Sequence, residues 1–471
     1  MFWVFNTGQV SAEKQRVVNT ADAAAYSAAL WRARVLNYDA YANRAMIANE
    51  VAIAQTLTLM SETQFLKNFG YCLSQGASPP RPLDDGQGCN SLLADIVKII
   101  DYATGAPGLS NAFRGVAVAL SSYDDVILPP LAHLEVLERS SVVNRALTAS
   151  QDGLHLTTNV VALEVGVVKD VVEANDQNFI GYVVPDGFEA VLGVPVTEPP
   201  FAKKYEEDKR IRLAKLATDS LDPYSKERNA TLSFEALSKF CFELSLNKRG
   251  GTSLSQDLST WEAADTFVEF DKKISKFKCK RTWNTVAFCD RQNLGPSDSG
   301  FIGDDSPSFY PTALARARRA AAAHPNYAFA AVGETGGRWT NSSTSPDVGY
   351  RGIPSFYDLN YETLNSVDEA VKNPVHKLAV VVHQRVGELR TANNLNIGVG
   401  RLRMTENVVN SSLTRGGVIS SISAAEVYFK RPIARAANDP IQVEYPSLFN
   451  PYWQARLAEP TPGQRIAAIA F

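Results

Sequence analysis

The sequence predicts an α+β protein: a long N-terminal helix with an antiparallel helical bundle, followed by a C-terminal α+β domain with a mainly antiparallel sheet. No glycine or proline lies between Gly8 and Gly70, where good helix formers abound. Apolar residues then recur at helical spacing up to about residue 174. Beyond Thr231, alternating or β-branched segments are separated by loops rich in Gly, Ser, Asn and Asp.

The first predicted helix would be about 90 Å long if it is continuous, at about 1.5 Å per residue. Its weakest stretch is TLTLMSETQ, at 56–64. Further helices are expected from Ser91 onward and at 112–126, 131–150 and 156–174. Pro129-Pro130 should end the one at 112–126. These helices should fold antiparallel against the first one.

The segment that begins near Ile180 is rich in glycine and proline and is expected to be a linker with at most a short strand. Helix should return at 202–218. Antiparallel pairing is expected for the strands, because few long crossover helices separate them. The predicted strands are 232–236, 280–288, 328–332, 377–384 and 426–431.

The predicted organisation is a succession of segments along the chain. Residues 1–5 are expected to be the residual end of a membrane anchor, 6–178 a helical stalk and bundle, 179–230 a linker and helix, 231–457 the α+β head and 458–471 a tail.

Composition excludes some partners and leaves others open. A formal net charge of −3 argues against nucleic acid, because phosphate recognition needs a basic surface. No window of 18 apolar residues occurs, so no complete transmembrane helix is expected. The apolar start, Met1 to Phe5, is the tip of a cytoplasmic protein or the C-terminal end of a membrane helix.

Five cysteines allow two interpretations. Cys72 and Cys89 flank a loop rich in Gly, Pro and Ser, and Cys279 and Cys289 flank an apparent pair of strands. These spacings suit two local disulfides with Cys241 left over, but five free thiols fit equally well.

The sequence offers no clustered catalytic, cofactor or metal site, and no small-molecule substrate is expected. It contains no HExxH, GxSxG or P-loop pattern. His376 and His383 should lie on opposite faces of one strand, as satisfied or surface side chains. Asp304, Ser306 and Ser308 match D-x-S-x-S, a metal-ion-dependent adhesion pattern. The preceding GPSDSGFIG is not a buried strand, so a loop is predicted.

The N-terminal segment resembles a known family. VFNTGQVSAEKQRVVNTADAAAYSAALWRAR, from Val4 to Arg34, is similar to the start of TadE/TadG-like proteins of the Tad (Flp-type) pilus-assembly family. In that pattern a membrane helix ends before a glycine, a basic turn and Asn-x-Ala-Asp-Ala-Ala-Ala. The residues that carry the match are Gly8, Asn19, Ala21, Asp22, Ala24 and Ala25, with Ala28 in the same row of small residues. EVYFKRP at 426–432 and EYPSLFNPYWQARL at 444–457 are similar to the C-terminal end of a longer subgroup.

The resemblance implies a non-catalytic component of a Tad pilus or related secretion apparatus. Its partners would be other pilus subunits or assembly proteins and the inner membrane, with the bulk of the chain in the periplasm or on the cell surface. Periplasmic placement in turn implies a Cys72–Cys89 disulfide. A periplasmic adhesin or ligand-binding head, and a soluble enzyme with a dispersed site, are the alternatives.

The small residues of this helix, which include Ala21, Ala24, Ala25 and Ala28, allow close approach of another element. That element is expected within the same chain, in the helices at 91–174. Packing against a second chain is the alternative.

Overall fold

The computed structural model describes residues 2–74, 97, 100–102, 104–105, 108–122, 136, 138–184, 201–234, 242–255, 258–273, 279–280, 288–289, 328–333, 336–339, 350, 352–360, 374–390, 417–430 and 446–470. Helices and antiparallel strands are both present, as predicted for an α+β protein. Within these residues no helix is both long and apolar enough to cross a membrane.

The helix predicted at 156–174 agrees with the structure to within one residue at each end, whereas the ends of those predicted at 112–126 and 131–150 differ by four to seven residues. α1 is a single helix from Phe2 to Leu73, with no break at 56–64. The others in the first half are α2 (Gly108–Ser122), α3 (Glu138–His155) and α4 (Thr157–Asn175). The predicted arrangement of these helices as an antiparallel bundle stays a prediction.

The strands are more numerous than predicted, and all their pairings are antiparallel. They are β1 (Phe179–Val184), β2 (Ala202–Tyr205), β3 (Ala230–Phe234), β4 (Phe242–Leu254), β5 (Thr260–Lys273), β6 (Cys279–Lys280), β7 (Phe288–Cys289), β8 (Ala328–Gly333), β9 (Gly336–Trp339), β10 (Phe356–Leu359), β11 (Val375–Arg385), β12 (Val418–Phe429) and β13 (Trp453–Ala458). The remaining helices are α5 (Ile211–Ser220), α6 (Pro223–Lys226) and α7 (Pro462–Ala470).

The expected helix at 202–218 is wrong in its first part. Ala202–Tyr205 is strand β2, which pairs with β10 far along the chain. Glu207 then has a φ of +50°, which a side-chain-bearing residue seldom adopts and which a helix starting at Ala202 could not contain. Helix therefore begins only at Ile211, after a 3-10 turn at Glu207–Arg210.

The chain divides into two compact units, and each draws on distant segments. The first unit contains Met1–Arg44, Leu147–Tyr205 and Phe356–Phe471, and the second contains Ala45–Ala146 and Glu206–Ser355. α1 contributes residues to both.

The core of the first unit lies between α1 and a four-stranded sheet of order β1-β11-β12-β13. Alternate strand residues face α1, since side chains of a strand alternate between its two faces. β1, which lies in the predicted linker, is an edge strand of this sheet. A side-chain carbon at Gly181 of β1 would lie 2.7 Å from Val172, so this glycine lets α4 approach the sheet closely. The buried core residues are Val17, Ala21, Ala24, Ala25, Ala28, Ala29, Ala33 and Leu36 of α1, Val168 and Val172 of α4, and Phe179, Ala202, Leu359, Leu378, Val380, Val382, Ala425, Val427, Leu448 and Trp453.

The second unit contains a five-stranded sheet of order β3-β4-β5-β8-β9 and the separate two-stranded sheet β6-β7. Its part of α1 buries Met46, Ile53 and Leu57. These positions recur at helical spacing, so one face of the helix is apolar here as well.

Candidate functional site

The alanines of the family-like segment are used inside the chain. Ala21, Ala24, Ala25 and Ala28 are buried in the core of the first unit, where they meet strands β11, β12 and β13 together with α4. This face therefore packs against the sheet, which was not predicted as its partner, and against α4, which belongs to the predicted helices at 91–174. Small side chains allow α1 to lie close to the sheet, because they take up little space between the helix backbone and the strands.

The other signature residues lie away from that core. Gly8 and Asn19 are exposed and Asp22 is half-buried. Tyr41, at 62 % exposure, lies on the exposed side of α1 with Asn19. We call this exposed side of α1, which includes Asn19 and Tyr41, the exposed stripe; a second chain could reach it.

Asn37 of α1 joins the helix to the start of strand β13. Its side-chain amide donates to the carbonyl oxygen of Trp453 at 2.9 Å, and its oxygen accepts from the backbone N–H of Trp453 at 3.0 Å. One amide side chain thus satisfies both backbone groups of a single residue, as a neighbouring strand would.

Asn43 and Arg44 hold the segment that precedes β13. The Asn43 amide nitrogen donates to the carbonyl oxygens of Leu448 at 2.6 Å and Tyr357 at 2.8 Å. Arg44 donates to the carbonyl oxygen of Phe449 at 2.6 Å and to the Asn450 side chain at 2.9 Å. We call Asn37, Asn43 and Arg44, with the backbone of 448–453 that they bind, the terminal junction.

A histidine–aspartate pair lies beside the terminal junction. The ring nitrogen Nε2 of His155 is 2.6 Å from Oδ2 of the fully buried Asp39, and the ring of Tyr357 stacks on the imidazole at 4.2 Å. Burial raises the pKa of Asp39 although the His155 hydrogen bond opposes the shift. Gln151 donates to the oxygen of Asn43 at 3.0 Å. The pair orients an imidazole within a network that joins α1, α3 and β10.

The second unit contains a fully buried carboxylate on α1. Oε2 of Glu50 accepts from the Trp261 indole N–H and from the Tyr350 hydroxyl, each at 2.8 Å, and Oε1 accepts from Asn144 at 2.8 Å. Burial raises the pKa of Glu50 to about 7, although these donors and the positive charge of Arg210 oppose the shift. Because the group would change charge near neutral pH, we expect the stability of this unit to depend on pH.

The second unit also contains a buried ion pair. Arg228 donates to both carboxylate oxygens of Asp265 at 2.9 Å, and Ser61 of α1 donates to Oδ2 at 2.7 Å. Gly250 on β4 makes room for the pair, because a side-chain carbon there would lie 1.9 Å from Asp265.

The remaining residues singled out in the sequence are placed as follows. Cys72 lies near the end of α1, whereas Cys89 and the Asp304, Ser306 and Ser308 loop fall outside the described residues. The described part of the chain contains no group of three or more His, Cys, Asp or Glu side chains suited to a metal ion.

The two histidines of β11 lie on opposite faces, as predicted. His376 contacts Arg32 of α1, and His383 packs beside Tyr182 on the other face of the sheet. The expectation of a satisfied or surface side chain is wrong for His383, because it is buried and neither ring nitrogen has a hydrogen-bond partner within the described structure. Burial lowers its pKa, so the neutral form is favoured.

The role of Glu50 was missed, although the sequence carries a signal for it. Glu50 lies in the same helical row as Met46, Ile53 and Leu57, so a carboxylate interrupts an apolar face. A charged residue in such a row is seldom fully buried unless it has partners.

Comparisons with protein-family models, with curated proteins and with solved structures found no match to this chain. The likeness to the pilus-assembly family therefore stays a prediction from the sequence.

Proposed function

We propose that this chain is a non-catalytic component of a Tad (Flp-type) pilus or related secretion apparatus that acts through protein–protein contacts. Its role would be that of an assembly factor, minor subunit or tip protein. The proposal includes an inner-membrane association through residues at the start of α1, a helical stalk and bundle, and a location of the bulk in the periplasm or on the cell surface.

The core that α1 shares with β12 and β13 is the observation that carries the proposal. The N-terminal stretch and the stretches at 426–432 and 444–457 resemble the same family, although they lie far apart in the sequence. Asn43 and Leu448, which are hydrogen-bonded, are 405 residues apart. In the structure they form one core, in which α1 packs on β12 and β13 and Asn43 binds the segment before β13. Two independent likenesses that belong to one folded unit support a shared ancestry better than either does alone.

The use of polar residues on α1 also supports a scaffold role. Asn37 and Asn43 bind backbone groups, while Asp39 and Glu50 bind side chains of their own unit. Buried polar groups that are hydrogen-bonded in this way favour one packing, although Oδ1 of Asp39 has no hydrogen-bond partner within the described structure. The exposed stripe of α1 that includes Asn19 and Tyr41 then remains for contacts with other subunits.

Deletion of the gene tests the proposal. We expect the amount of major pilin in sheared surface filaments to fall, and a plasmid copy of the gene to restore it. A copy with Asn43→Ala, which breaks the terminal junction, should restore less, whereas Glu459→Gln, at a position 95 % exposed, should restore fully. Unchanged filaments and unchanged secretion after deletion would refute the proposal.

The Cys72–Cys89 disulfide is part of the same proposal and has its own test. Trypsin does not separate these cysteines readily, because Arg81 is followed by Pro82 and no other lysine or arginine lies between them. A protease that cuts at Asp84 or Asp85 does separate them. Non-reducing digestion of protein from cells should give one linked pair of peptides, and two freely alkylated cysteines would contradict both the disulfide and the periplasmic location.

A further inference from the structure

The short hairpin of β6 and β7 places two cysteines opposite each other. Its antiparallel register pairs Cys279 with Cys289 and Lys280 with Phe288. Residues directly opposite in an antiparallel ladder have Cα atoms about 4.5 or 5.5 Å apart, depending on the kind of pair. Disulfide bonds span Cα distances of about 4.4–6.8 Å. Both kinds of pair fall within that range, so this register brings the two cysteines within bonding reach.

We propose that Cys279 and Cys289 form a disulfide bond that closes this hairpin. The structure has no disulfide among the residues that it describes, and the inference comes from the backbone register. This inference rests on the proposed function, because disulfides persist in oxidising compartments such as the periplasm.

The reaction is thiol–disulfide exchange with an external disulfide as the oxidant. Each of the two thiols loses its proton. One thiolate attacks the external disulfide, forms a mixed disulfide and releases one thiolate of the oxidant; the second thiolate then attacks the protein sulfur of the mixed disulfide and releases the other. One sulfur–sulfur bond forms in the hairpin and one breaks in the oxidant, which leaves as two thiols with the two electrons.

A covalent link between β6 and β7 would stabilise this hairpin. Among the residues that the structure describes, β6 and β7 form a sheet of two strands with two residue pairs in the ladder. A two-stranded hairpin of this kind is marginally stable in water. A disulfide between opposite residues restricts the unfolded chain and so holds the register.

Tryptic mapping of the full-length protein tests the bond. Lys280 and Arg281 lie between the two cysteines, so trypsin leaves the cysteines on separate peptides unless a disulfide joins them. The purified protein is incubated with glutathione disulfide, its free thiols are alkylated, and it is digested with and without reductant. We expect a Cys279–Cys289 peptide pair that disappears on reduction.

Two variants sharpen the test. Cys241→Ser should leave the linked pair unchanged, and Cys289→Ser should abolish it and leave Cys279 alkylated. A peptide that joins Cys241 to either partner would overturn the proposal, as would alkylation of both cysteines after oxidation.

The same mapping on cells that are quenched with acid and alkylated at once separates this inference from the proposed function. A linked pair in cells supports both. A pair that forms in the tube but is free in cells overturns the disulfide in the cell and the periplasmic location together. Failure in the tube overturns only the pairing and leaves the proposed function intact.

Discussion

Replacement of Glu50 by glutamine removes a titrating group but keeps its size and most of its hydrogen bonds. The glutamine oxygen can accept from Trp261 and Tyr350 as Oε2 does now. The amide nitrogen then faces Asn144, whose side chain must turn over together with that of Asn49. Asn49 is half-buried, so its turned amide can reach water.

The expected effect depends on pH, and its size follows from the pKa. Burial shifts the pKa of Glu50 from 4.5 to about 7. Between these values the folded state holds a proton that the unfolded state has released, so stability falls as pH rises toward 7. A shift of one pKa unit corresponds to about 1.4 kcal/mol, which gives about 3 kcal/mol in total. Glu50→Gln does not titrate, so its stability relative to wild type should rise by about 3 kcal/mol between pH 4.5 and pH 8.

Hydrogen exchange at the peptide level can measure this difference in the second unit alone. Protection of β5, which carries Trp261, is followed at several urea concentrations and compared between the two proteins at each pH. Glu459→Gln, at a position 95 % exposed, is the control and should match wild type throughout. If the difference between Glu50→Gln and wild type is the same at pH 5 and pH 8, the carboxyl has no raised pKa and the argument from burial fails.

Three further substitutions test the packing by their effect on the free energy of unfolding in urea. Gly250→Ala should cost about 3–5 kcal/mol, because its side-chain carbon would displace a buried carboxylate from its arginine, whereas Gly115→Ala on an open helix surface should not destabilise. Ala24→Leu should cost about 1–3 kcal/mol or more through overpacking, and Ala23→Leu on the exposed side of α1 should cost little. Asn43→Ala should cost about 2–3 kcal/mol, because it leaves buried carbonyl groups without donors. Equal costs within either matched pair, or a neutral Asn43→Ala, would contradict the packing described.

Local patterns were sufficient for the long helix and for the most apolar strand. The absence of glycine and proline predicted α1, and the run KLAVVV predicted β11. β4 and β5 were missed although FELSL at 242–246 alternates apolar and polar residues and TFVEF at 266–270 is rich in strand-forming residues. β4 contains Lys-Arg-Gly-Gly, which reads as a turn, yet Gly250 is there because the strand must leave room for Asp265.

The contacts of the candidate site lie beyond local prediction. Asn37, Asn43 and Arg44 were recognisable as polar residues on a small-residue helix, but nothing near them in sequence identifies their partners. Those partners are mostly backbone groups, and they lie 314 to 416 residues away. A backbone carbonyl has no sequence signature, so only the folded topology reveals it.

The terminal junction also sets the order of events during synthesis. Asn43 is synthesised 405 residues before its partner Leu448. At about 5–20 residues per second, the alanine face of α1 waits roughly 20–80 s for the last strands that cover it. Throughout that interval this face of α1 has no completed sheet to pack against, and release of an unfinished chain would leave the helix without its sheet.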